Sequence, residues 1–181
     1  FAESEYLIPE VLDKINLHNE HLDEHHEMLF YYKIACIYFG NEKYNECVFY
    51  LEKIINNKNL YVREDLACFA RLLCLIAHYE SGKDFNLENQ LVSTYKFLIK
   101  MNDLHEVQKE IIRFLKKLST IYPKKKKKEF IKVKERFIEL EKNTYEKRAF
   151  LYLDIISWLE SKIENRKIGD IIKEKAKLSN R

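Results

Sequence analysis

Turn-forming residues are scarce in this chain, which has only 3 glycines and 2 prolines among 181 residues. A β protein with many tight turns depends on both residue types, so this class of fold is excluded. Apolar runs are also short, and none reaches the roughly 18 residues that a membrane-spanning helix requires. Period-2 alternation of apolar and polar residues, typical of half-buried strands, is not sustained anywhere. These absences predict an all-α protein with no membrane partner.

Motifs for catalysis and cofactor binding are missing as well. The sequence contains no glycine-rich phosphate loop and no G-x-S-x-G nucleophile motif. The four cysteines form no C-x-x-C pair, and each lies within an apolar helical pattern; they are Cys36, Cys47, Cys68 and Cys74. Because disulfides are rare in reducing compartments, we expect reduced, buried thiols and a cytoplasmic location. We therefore predict that the protein is not an enzyme and binds no cofactor.

Four histidines near the start of the chain raise the question of a metal site; they are His18, His21, His25 and His26. His21 and His25 would share one face of a helix, but the Glu of an H-E-x-x-H zinc motif is absent. No third ligand follows at a recognisable spacing. The pattern therefore favours a polar junction between helices over metal binding.

The most informative stretch is residues 28–59, which predicts two short amphipathic helices joined by a turn. In the first helix Tyr31, Ile34, Ala35 and Tyr38 follow the i, i+3, i+4, i+7 spacing of one helical stripe. Residues 40–43 interrupt the pattern, and Gly40 is the residue expected to adopt a positive φ there. The second helix is predicted over residues 44–55, and its stripe consists of Cys47, Val48, Leu51, Ile54 and Ile55.

These residues resemble a tetratricopeptide repeat, a helix-turn-helix unit of about 34 residues. When Met28 is taken as the first position, apolar and aromatic residues match the repeat at Tyr31, Ile34, Tyr38, Tyr44, Leu51 and Ile54. The two positions at which the paired helices cross closely require small residues. Ala35 and Cys47 occupy them.

The resemblance implies a tetratricopeptide-like α-α superhelix, a helical-hairpin solenoid of about seven or eight antiparallel helices. A longer, degenerate repeat is predicted over residues 61–101, and further helical pairs over residues 103–142 and 144–178. Together they would form a single repeat domain over residues 1–181. The start at Phe1, without a methionine, suggests a fragment of a longer chain. The composition, rich in Asn, Lys and Ile and with one clear repeat, resembles that of tetratricopeptide-like proteins of bacteria.

Two details of the second half complete the helix predictions. Asp103 and Glu106 have the D-x-x-E spacing of a capping box, which predicts a helix from there to about Ile121. Apolar residues at helical spacing then predict one continuous helix from Tyr145 to about Asn165.

Charge is distributed unevenly along the chain. Residues 1–90 contain 8 Lys+Arg and 16 Asp+Glu, whereas residues 91–181 contain 24 and 13. Such asymmetry is consistent with an anionic partner or with self-association through opposite halves of two copies. The run from Lys124 to Lys128 is interpreted as a solvated helix start, although phosphate binding is an alternative. Aromatic residues for base stacking do not interleave with it, so nucleic acid is not the expected partner.

The resemblance also implies a concave groove lined by the first helices of the repeats. Its positions correspond here to Leu29, Tyr32, Cys36 and Phe39. Arg71 and His78 lie seven residues apart on an otherwise apolar helix and are predicted to face the same groove; the alternative is that Arg71 pairs with an acid such as Glu46. The predicted function is a protein- or peptide-binding scaffold without catalytic activity. The alternative is the sensor or effector half of a bacterial transcriptional or signalling regulator with its output domain outside this chain.

Overall fold

The structure is a computed structural model and describes residues 1–17, 23–57, 63–82, 87–102 and 104–179. Throughout these ranges the regular structure is α-helical and no strand is present, so the predicted all-α class is confirmed. In chain order the helices are α1 (Ala2–Glu5), α2 (Ile8–Leu17), α3 (Glu24–Gly40), α4 (Tyr44–Ile55), α5 (Glu64–Glu80), α6 (Leu87–Lys100), α7 (Glu106–Leu118), α8 (Pro123–Glu141), α9 (Lys147–Tyr152), α10 (Ile155–Glu164) and α11 (Ile168–Ser179).

The structure divides one predicted helix in two. This division is one reason why the described ranges contain more helices than the seven or eight predicted. The continuous helix predicted from Tyr145 to Asn165 is wrong, because α9 ends at Tyr152 and Leu153 is extended, with φ −131° and ψ 108°. Asp154 then caps α10: its Oδ1 accepts a hydrogen bond of 3.0 Å from the backbone N–H of Ser157. A side chain that binds a backbone N–H three residues later begins a new helix.

The chain forms two compact units, Phe1–Lys83 and Asp84–Arg181. In the first unit α3 packs against α4, α4 packs against α5, and α3 also contacts α1 and α5. The helix α5 is buried over residues 66–70 and 72–77, as expected of a helix that is apolar on nearly all sides. The prediction of a single domain over residues 1–181 stays a prediction.

The turn between α3 and α4 differs from the sequence prediction at its glycine. Gly40 is the last residue of α3, and the positive φ, 60°, belongs to Glu42. A Cβ atom at Gly40 would lie 2.5 Å from atoms of the Phe1 ring. Glycine is therefore needed here for the close approach of Phe1 and not for a left-handed backbone.

The second unit is built on the packing of α8 against α10, with α7 on α8 and α11 on α10. Three rings from α7, α8 and α10 meet edge to face: Phe114 and Phe130 are 5.1 Å apart between centroids, and Trp158 lies 6.1 and 5.7 Å from them. Trp158 is only 2% exposed. Edge-to-face rings at these distances add specific attraction to the burial of apolar area.

The start of α7 also differs from the prediction. The helix begins at Glu106 with His105 as its N-cap, so Glu106 is the first helical residue and not the third residue of a capping box. Asp103 lies outside the described residues. Gln108 Oε1 accepts a hydrogen bond from the backbone N–H of His105, which satisfies one donor at the helix end.

Candidate functional site

All six residues of the predicted groove lie on two helices of the first unit that contact each other. Leu29, Tyr32, Cys36 and Phe39 belong to α3, and Arg71 and His78 belong to α5. Tyr32 and Phe39 are buried, with 2% and 6% exposure, whereas the other four are half-buried. The partly exposed members that could contact a partner directly are therefore Leu29, Cys36, Arg71 and His78.

Two small residues are predicted, from the resemblance to a repeat, to lie where α3 and α4 cross. Ala35 on α3 and Cys47 on α4 are both 0% exposed. Helix axes can approach to about 8–10 Å when the side chains at the contact allow it, and small residues favour the closest crossings. Both residues are buried, as positions at a close crossing must be, and the repeat register itself stays a prediction.

Three helices of the first unit bring cysteine thiols close enough to influence each other electrostatically. Burial raises the pKa of Cys36 and of Cys74 to about 12. Burial also raises the pKa of Cys47, and the nearby Cys36 and Cys74 thiols raise it further. All four cysteines of the chain are free. Because the thiolate is the nucleophilic form, these three thiols are weak nucleophiles at neutral pH.

Arg71 lies on the same helix as two of the cysteines. Burial lowers the pKa of its guanidinium, and the nearby Cys68 and Cys74 oppose that shift. His78 lies in the last turn of α5, where its backbone carbonyl accepts a 3.0 Å hydrogen bond from Ser81 Oγ. A half-buried cation beside apolar residues provides a directional donor for an anionic or carbonyl group.

An aromatic cluster on α3 and α4 was only partly foreseen from the sequence. The rings of Tyr38 and Tyr50 are stacked, with centroids 5.7 Å apart and an interplanar angle of 13°. Tyr31 lies 6.0 Å from Tyr50 between centroids, and Phe49, which is 55% exposed, lies 5.2 Å from it. The repeat pattern includes Tyr31 and Tyr38, but it assigns no role to Phe49 and Tyr50.

A cleft between α7 and α8 in the second unit was not predicted. Its cavity of about 250 Å³ is lined by Glu110, Arg113, Phe114, Lys117, Glu129, Lys132, Val133 and Arg136. The α7 residues of the cleft are Glu110, Arg113, Phe114 and Lys117, and the α8 residues are Glu129, Lys132, Val133 and Arg136. Both sets have the same order and spacing of an acid, a base, an apolar residue and a second base. This shared pattern was available in the sequence, but only the packing of the two helices brings both copies into one cleft.

The described histidines near the chain start have protein partners. His26 Nδ1 lies 2.7 Å from Asp23 Oδ1, and His25 Nε2 lies 3.2 Å from Nη1 of Arg63. His18 and His21 lie outside the described residues. Among the residues that the structure describes, no group of three or more His, Cys, Asp or Glu side chains is arranged to hold a metal ion.

None of the helices in the described ranges combines the length and the apolar character needed to cross a membrane. The chain matches no protein-family model, no curated protein and no solved structure at a significant level. The resemblance of residues 28–59 to a tetratricopeptide repeat therefore depends on the residues themselves and on the hairpin of α3 and α4 that they form.

Proposed function

We propose that this chain is a protein- or peptide-binding scaffold of the tetratricopeptide-like superhelical type, without catalytic activity and located in the cytoplasm. The observation that carries this proposal is the hairpin of α3 and α4, with Ala35 and Cys47 fully buried where the repeat requires small residues. Repeats of this kind gain stability by stacking, and the stacked first helices form an extended surface for partners. Free cysteines suit a reducing compartment.

The partner-binding surface is assigned to the partly exposed residues of α3 and α5. Leu29 and Cys36 supply apolar contact, whereas Arg71 and His78 supply hydrogen-bond donors. A mostly apolar site with a small number of oriented polar groups is typical of ligand and peptide recognition. The expected partner is a peptide segment with an apolar side chain flanked by carbonyl or carboxylate acceptors.

Peptide display on the immobilised full chain, followed by calorimetric titration of the selected peptides, tests this function. Leu29→Glu places a charge within the apolar surface and His78→Ala removes a donor; each should weaken binding by roughly 1–3 kcal/mol if the residue is in the contact. Asp13→Ala, at an exposed position of α2 and outside the two helices of the assigned surface, is the control and should change little. Failure to select any peptide, or equal effects of all three variants, would contradict the proposal.

A further inference from the structure

The cleft between α7 and α8 has an excess of positive charge. Four of its lining residues are basic and two are acidic; the basic ones are Arg113, Lys117, Lys132 and Arg136. The two helices run antiparallel there, because Lys117 near the end of α7 pairs with Glu129 near the start of α8, whereas Arg136 further along α8 acts electrostatically on Glu106 at the start of α7. Basic side chains therefore line both sides of the cleft.

Only part of this positive charge is neutralised within the protein. Lys117 Nζ lies 2.6 Å from a Glu129 oxygen, and Arg113 Nη1 lies 3.5 Å from a Glu110 oxygen. Lys132 and Arg136 form no ion pair or hydrogen bond with any of the residues that the structure describes. Both are exposed, and although they act electrostatically on Glu129 and Glu106, neither is bound to a carboxylate, so an anionic ligand can reach them.

The floor and the size of the cleft restrict what can bind. Phe114 and Val133 form an apolar floor, at 2% and 7% exposure. The cavity of about 250 Å³ is smaller than the roughly 300–1,000 Å³ of pockets that enclose a drug-sized ligand. It therefore suits one or two acidic side chains of an extended segment and not a whole nucleotide.

We propose that the α7–α8 cleft binds an acidic peptide segment of a partner protein, held by Lys132 and Arg136 on α8 and by Arg113 and Lys117 on α7. Two features favour a peptide over a nucleic acid. The Phe114 ring is too buried to stack on a base, which single-stranded nucleic-acid binders require. A nucleic acid carries a negative charge at every phosphate and would place some of them beside Glu110 and Glu129, whereas an acidic peptide can place its carboxylates at the basic residues and its neutral N–H groups at these two acids. Binding at this cleft does not depend on the surface assigned on α3 and α5.

The test is a fluorescence-anisotropy titration of the full chain with a short labelled peptide of alternating glutamate and glycine. The double variant Lys132→Gln and Arg136→Gln removes two charges from the cleft. The double variant Lys124→Gln and Lys127→Gln removes the same charge from exposed positions of the same helix that do not line the cleft. We expect the cleft variant to weaken binding roughly tenfold, the control variant to weaken it less than about twofold, and binding to weaken as salt is added.

Three results would overturn the proposal. Equal weakening by both double variants would mean that binding reflects the general charge of α8 and not the cleft. Tighter binding of a labelled single-stranded oligonucleotide than of the peptide, lost in the cleft variant, would assign the cleft to nucleic acid. Failure of the peptide to bind, together with self-association in sedimentation experiments that the cleft variant abolishes, would make a second copy of this chain the occupant.

Discussion

The Glu146 carboxylate binds the backbone of Val107 across 39 residues of sequence: its Oε2 accepts a 3.0 Å hydrogen bond from the Val107 N–H. Its second oxygen, Oε1, accepts a 3.1 Å hydrogen bond from the N–H of Glu106. Both donors are among the first N–H groups of α7, which lack partners within the helix. Glu146 is 7% exposed, and its negative charge lies at the positive end of the helix dipole. The carboxylate therefore links the segment before α9 to the start of α7.

Glu146→Ala should lower the free energy of unfolding by roughly 1–2 kcal/mol, the usual cost of a lost N-cap. Glu146→Gln should cost less, because its amide oxygen still accepts one hydrogen bond. Urea denaturation of both variants gives the comparison. Glu141→Ala, at an exposed position near the end of α8, is the control and should stay within about ±0.5 kcal/mol. An equal cost for all three substitutions would exclude a specific capping role for Glu146.

Cys47→Leu should lower the free energy of unfolding by roughly 1–3 kcal/mol, because Cys47 is fully buried on α4, near Cys36 of α3 and Cys74 of α5, and a larger side chain would overpack the site. Cys47→Ala should be nearly silent, since it removes one small apolar group. Chemical denaturation of both variants measures the two changes in the free energy of unfolding. Equal and negligible effects would mean that Cys47 does not occupy a tight crossing and that the repeat register is wrong.

Gly40 and Phe1 should be energetically coupled, because a Cβ atom at Gly40 would lie 2.5 Å from the Phe1 ring. In the wild-type background Gly40→Ala should destabilise the protein by displacing that ring. In a Phe1→Ala background the same substitution should stabilise it by roughly 0.5–1 kcal/mol, the difference between the helix propensities of alanine and glycine. A double-mutant cycle from thermal or urea unfolding measures the coupling. Additive effects would show that Phe1 does not pack on Gly40.

Lys117→Gln should raise the pKa of Glu129. The hydrogen bond from Lys117 is the main cause that holds this pKa below its usual value, and the charges of Lys117, Lys132 and Lys128 add to it. A carboxylate whose pKa is lower in the folded state stabilises the fold above its unfolded-state pKa, and that contribution is lost as the pH falls through the folded-state value. NMR titration of the Glu129 side chain in both proteins measures the shift. An unchanged pKa would mean that the ion pair with Lys117 does not persist in solution.

The helix α4 of the first unit could be predicted well because its signal is local. The sequence predicts a helix over residues 44–55, and α4 spans Tyr44–Ile55, since the apolar stripe from Cys47 to Ile55 is specific for helical spacing. The break between α9 and α10 was missed for the same reason. Ala149, Leu153 and Ile156 continue a helical stripe through it, and the capping preference of Asp154 outweighs that pattern.

Contacts between distant residues could not be predicted from spacing. The capping of α7 by Glu146 joins residues about forty positions apart, and nothing local to either one indicates the other. The groove positions show the same effect of distant contacts. The repeat register identifies Tyr32 and Phe39 as groove positions, yet their exposure depends on how closely neighbouring elements pack, and both are buried. The α7–α8 cleft likewise exists only because two similar helical patterns pack together.

The proposed scaffold function requires that the chain bind a peptide through the surface formed by α3 and α5. Mapping of NMR chemical shifts on the full chain, with and without a peptide obtained by display, tests it most directly. We expect the largest shifts at and around Leu29, Cys36, Arg71 and His78, with only small changes at Asp13 on α2. Shifts confined to other helices, or no shifts at saturating peptide, would contradict it.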